Sequence, residues 1–240
     1  MGHPDIGNIG TPDLIRLCDR QFSQKIWIQH FIARQKDVQV VVYDVEPRLF
    51  DSKGLNSGSY TLFLPYIDDP VMGDYMRNQA SLKEYYICKM IRTPLFRDQT
   101  INMALRGLLG KIENKKSTRL RVENYRDFLK REKRRGIRVN EKALDLFRET
   151  IDFLTGRDIV VVLVFIPVTD LLNNIDPAAQ AGVIQVFKDL AAENEKVVFL
   201  DYNQAYESRH DLFYDLRHLN GDGNAVITQH LIEDLQRVLP

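Results

Sequence analysis

A chain of 240 residues can hold one large α/β domain or two small ones, and 44% hydrophobic content is that of a packed globule, not of a disordered or fibrous chain. Its 33 Lys and Arg balance 33 Asp and Glu, so no global field draws it to nucleic acid or to an anionic membrane. Cys18 and Cys88 are too few for a disulfide framework, and no apolar run approaches the roughly 20 residues that span a bilayer.

The chain opens on Gly2, Pro4, Gly7, Gly10 and Pro12, a turn-rich loop with no strand before it. Met1-Gly2-His3-Pro4-Asp5 has neither the basic start nor the apolar core of a signal peptide. As written this predicts a cytoplasmic chain; an extracytoplasmic location stays open if an upstream signal or anchor is missing. Thr11-Pro12-Asp13 then reads as a helix cap, a proline in the first turn and an acid behind it, and Leu14, Leu17, Ile28, Phe31 and Ile32 continue a helix over 12–35. Trp27, mid-helix among apolar neighbours, reads as core or interface. The β-branched run Val38 to Val45 predicts a strand buried on both faces.

From about 47 to 139 the periodicity weakens, which reads as a mostly helical insertion into a single domain. Gly54 to Ser59 is a loop, and Tyr75, Met76, Leu82, Tyr85 and Tyr86 mark a helical, aromatic-rich stretch over 71–91. Lying just after a strand end, residues 55–90 are expected to act as a lid over the site. The stretch from Lys115 to Arg138 is crowded with cations but interleaved with Glu123, Asp127 and Glu132, which predicts a solvated helix with paired charges and no nucleic-acid partner.

Regular alternation then returns. Asn140 caps a helix ended by Gly156, Ile159 to Ile166 is an apolar strand stopped by Pro167, Asp176-Pro177 starts a helix over 178–193, and Val197 to Leu200 is the next strand. This order implies a parallel sheet with helices on both faces, whose ligands bind beyond the carboxyl ends of the strands. The last such end leads to Asp215-Leu216-Arg217-His218-Leu219-Asn220 and a terminal helix over 223–238. Asp215 and His218 are three apart, close enough for the carboxylate to accept the imidazole Nδ1–H and leave Nε2 as a base.

The segment Val197 to Tyr202, followed by Leu212-Phe213-Tyr214-Asp215-Leu216-Arg217-His218-Leu219-Asn220, resembles the last block of the SGNH (GDSL-type) hydrolases and acyltransferases. The resemblance covers roughly 1–50 and 140–240. It implies a three-layer α/β/α sandwich around a parallel, flavodoxin-like sheet, with Asp215 and His218 as the acid and base of a serine triad. By the same resemblance Gly10, or Gly7, would offer an oxyanion-binding N–H. Two blocks depart from the pattern. No strand and serine precede the glycine loop, so the nucleophile and first strand are missing and Met1 reads as the middle of a longer coding sequence. Where the family has an Asn donor this chain has Asp44-Val45-Glu46-Pro47, and a carboxylate repels an oxyanion.

Three functions follow: an ester hydrolase or O-acyltransferase, inactive alone for want of its serine, acting on a small-molecule or carbohydrate ester; a non-catalytic carbohydrate- or protein-binding member of that fold; or a phosphoryl-transfer enzyme, suggested by Asp44-x-Glu46 and by Gly221-Asp222-Gly223-Asn224. No cofactor is implied. His3, His30 and His230 lack a second ligand at metal spacing, so no metal site is read. A vacant strand slot would expose an edge that favours a homodimer.

Overall fold

A computed structural model describes residues 19–35, 37–50, 59–79, 82–91, 105, 108–109 and 119–238. Residues 12–18 of the first expected helix, Gly7, Gly10 and the loop residue Ser57 lie outside them. The fold is mixed α/β. The described helices are α1 (Asp19–Arg34), α2 (Pro70–Gln79), α3 (Leu82–Ile91), α4 (Arg126–Arg135), α5 (Glu141–Thr155), α6 (Asp170–Asn173), α7 (Pro177–Glu193), α8 (Asn203–Tyr206) and α9 (Gly221–Val238). None is long and apolar enough to cross a membrane.

Among the described residues one sheet forms, from β1 (Val40–Asp44), β2 (Val160–Phe165) and β3 (Val197–Asp201), all parallel in the order β1-β2-β3. Strands and pairing follow the apolar runs, to within a residue or two at their ends. Pro167 lacks an N–H to continue β2, and Ile166 before it is exposed. One expectation is corrected: Val38 to Val45 is not buried on both faces. With no described strand on its far side, β1 is an edge, and Val42 is 46% exposed, whereas Val161 to Phe165 of the central strand are buried throughout.

The contacts divide the chain into two compact units. The first, residues 1–36, 52–112 and 140–147, has a core of Ile26, Phe63, Leu64, Ile67, Met72, Tyr75, Met76 and Tyr85 around the buried thiol of Cys88. Trp27 packs at its margin, stacked on Phe63 at a ring separation of 5.0 Å. The stretch read as helical over 71–91 is two helices, and the Asp69 carboxylate caps the first by accepting the N–H groups of Val71 and Met72. His30 is buried here, with Nδ1 2.7 Å from the Arg34 guanidinium.

The second unit, residues 37–51, 113–139 and 148–240, holds the sheet. Val162 and Val164 cluster with Tyr202 and Ile227, on which Leu231, Leu235 and Val238 of α9 pack. Side chains alternate along a strand, so Leu163 and its register partner Phe199 face the other way, where Phe187 of α7 meets Phe199 with ring centres 5.6 Å apart. Within the basic stretch, Arg126–Arg135 forms α4, and none of the residues of that helix is fully buried. Its charges pair as expected at Asp127–Lys130, 3.6 Å, but Glu132 turns inward and lies 3.0 Å from Arg48.

Candidate functional site

Backbone bonds hold residues 213–220 in a tight loop beyond β3. Phe213 and Leu219 form an antiparallel bridge, and the Tyr214 N–H donates to the His218 carbonyl at 2.8 Å. The loop is braced from the loop after β2 by Thr169, which is fully buried and donates both its N–H and its hydroxyl to the Leu216 carbonyl, at 3.1 and 3.0 Å. Asn220, also buried, donates to the Asp211 carbonyl at 2.7 Å while its Oδ1 accepts the N–H groups of Asp222 and Gly223, capping α9. Gly223 fits there because a Cβ would run into the Leu212 carbonyl.

In this frame Asp215 and His218 come together. Nδ1 of His218 lies 2.9 and 2.8 Å from the two Asp215 oxygens, and Oδ1 also accepts the N–H groups of Arg217 and His218, each at 2.8 Å. Partial burial pushes the Asp215 carboxyl up, but the Arg217 N–H, the His218 ring and the His218 N–H together outweigh it and leave its pKa below the ordinary value. The carboxylate is therefore charged at neutral pH and fixes the ring with Nδ1 as donor and Nε2 as the proton acceptor. The Asp215 side chain is 22% exposed and the imidazole 71%, so the ring is open to solvent. Tyr125 lies in the same field: burial raises its phenol, and the charge of Asp215 raises it further.

A second imidazole–carboxylate contact had no sequence signal. His210 does not use its neighbour Asp211, which Arg209 holds at 2.9 and 3.0 Å; its Nε2 lies 2.6 Å from Asp170, forty residues away. The His210 contact is through Nε2, whereas that of His218 is through Nδ1. Next to it Asn203 and Asn173, both buried, donate to Glu207, and Asn203 Oδ1 accepts the Val168 N–H at 2.9 Å.

Glu46, just beyond β1, faces Arg217 at 3.7 Å, and Arg217 lies 3.8 Å from Glu132. Gly221 to Asn224 form the first turn of α9, and the N–H groups of Asp222 and Gly223 are taken by Asn220, so this turn does not offer them to a phosphate. Among the described residues no group of three or more His, Cys, Asp or Glu is placed to hold a metal ion. Comparison with protein-family models, with curated proteins and with solved structures finds no match.

Proposed function

We propose that the chain carries the acid–base half of an SGNH-type ester hydrolase or O-acyltransferase, its sheet the middle of a three-layer sandwich with α7 and α9 on opposite faces. The observation that carries this reading is the two-oxygen contact of Asp215 with Nδ1 of an exposed His218, at the carboxyl end of a parallel sheet. In the reaction His218 Nε2 takes the proton of a serine hydroxyl as its oxygen attacks the ester carbonyl, then returns it to the departing alkoxide; Asp215 stays ionised and steadies the imidazolium between the two transfers. The substrate class is a small-molecule or carbohydrate ester.

The test is labelling by a fluorophosphonate, which reacts with a serine activated by an imidazole, together with hydrolysis of short-chain aryl esters. Labelling at one serine, lost in His218→Ala, supports the reading. A second reading is favoured by the Asp215 Oδ1 bonds to two backbone N–H groups, which brace the loop without any chemistry: a non-catalytic member of the same fold. Since a chain without its serine is silent in that assay on either reading, the second is selected if diethyl pyrocarbonate modifies the His218 ring no faster in wild type than in Asp215→Asn.

A further inference from the structure

The side of α4 that faces solvent carries Arg126, Lys130, Arg131, Lys133 and Arg134, all exposed, with Asp127 as its single acid, while Phe128, Leu129, Glu132 and Arg135 make up the half-buried side. Pairing neutralises little of the exposed face. Asp127 meets Lys130 at 3.6 Å, and Arg126, Arg131, Lys133 and Arg134 form no ion pair among the described residues. The helix dipole accounts for part of the pattern, since it favours cations in the last turn, where Lys133 and Arg134 stand; it disfavours Arg126 in the first. A helix rises about 1.5 Å per residue, so Arg126, Lys130 and Arg134, four apart, form a row with a cation about every 6 Å. The row begins beside the acid–base pair. The Leu120 N–H donates to the Phe213 carbonyl at 3.0 Å, and the charge of Asp215 acts on the phenol of Tyr125, the residue before the helix.

We propose that this row binds a linear acidic polysaccharide, whose carboxylates lie against Arg126, Lys130 and Arg134 and whose chain runs past Tyr125 to His218. The inference rests on the acid–base reading of that loop and makes the ester a substituent of an anionic carbohydrate. Such a chain repeats a charge along its length, as the row does, and needs only extended side chains that meet a carboxylate with a bidentate fork or a point charge. A single strand of nucleic acid draws much of its binding from stacking on exposed aromatic rings, and the solvent face of α4 has none. An anionic bilayer is gripped by basic helices whose apolar residues enter the headgroup layer, whereas Phe128 and Leu129 lie on the half-buried side.

Fluorescence anisotropy of a labelled galacturonate oligomer, one carboxylate per sugar, titrated with the whole chain tests this. The expected result is saturable binding, weakened about tenfold or more when Arg126→Gln, Lys130→Gln and Arg134→Gln are combined and when salt is raised from about 0.05 to 0.5 M, with no binding of a neutral glucose oligomer. All three positions are exposed, so the combined variant should keep the circular dichroism of wild type. Bound oligomer should also shield His218 from diethyl pyrocarbonate. Binding is read without ester turnover and should persist in His218→Ala, so its failure and that of the acid–base reading are seen separately. No binding of the oligomer, unchanged affinity in the combined variant, equal or tighter binding of single-stranded DNA of the same charge or of phosphatidylserine vesicles, or an unshielded His218 in the bound state would each overturn the proposal.

Discussion

The Asp215 side chain does two things with one carboxylate, and one substitution separates them. Asn in its place keeps an Oδ1 that can accept the Arg217 and His218 N–H groups, so the loop should persist. Its amide nitrogen cannot accept from Nδ1–H, so any ester turnover should fall on the order of 10²- to 10⁴-fold while circular dichroism is unchanged. Acid stability follows from the same group. Its folded pKa lies below the unfolded-state value of about 3.9, so its contribution is complete above that value and is lost as pH falls through the folded pKa. The urea midpoint of wild type should therefore exceed that of Asp215→Asn at pH 7, and the gap should close towards pH 3; a gap unchanged with pH would contradict the charge argument. This pair could be read from the sequence because its two members are three residues apart in one loop. Asp170 and His210 could not, since only the folding of the β2 and β3 ends brings residues forty apart into contact. The same holds for Thr169, whose bond to Leu216 spans forty-seven residues.

At the scale of elements, what could be read was local chemistry. Asn140 accepts the Lys142 and Ala143 N–H groups, and Asp176 ahead of Pro177 accepts from Ala179, as their positions before apolar periodicity imply. Asp176 also accepts the Ile137 N–H, a distant bond that no spacing announces. Gly156 marks the stop of α5 in the sequence and the helix does end at Thr155, yet the residue beyond it with positive φ is Asp158, at 67°, held by Lys196 at 2.6 Å. Two glycines give a matched pair of expectations. Ala at Gly223 would press on the Leu212 carbonyl and should cost about 1–3 kcal/mol. At Gly182, in the middle of α7, a Cβ meets nothing within 4 Å, and Ala there should stabilise by roughly 0.5–1 kcal/mol through helix propensity. Thermal unfolding of the two variants beside wild type measures both signs.

For the whole molecule, alternation of strands and helices was enough to read a parallel α/β sheet, because each apolar run is bounded by its own caps and turns. The position of a strand within the sheet was read too simply: Val38 to Val45 carries Gln39 and Asp44 whereas Ile159 to Ile166 is apolar throughout, and among the described residues only the second lies between two neighbours. Amide exchange should report that difference. Val161 to Phe165 should exchange slowest, and α4, with no fully buried residue, among the fastest of the helices; equal protection of the two would contradict the burial pattern. The first unit carries its own gauge. Cys88 is only 4% exposed within a core that includes Met72 and Met76, so a thiol reagent can reach it only when that core opens. In a chain with Cys18 replaced by Ser, the colour developed by a disulfide dye becomes a clock for breathing of the first unit. A substitution such as Met76→Ala should make that clock run faster without any need to melt the sheet.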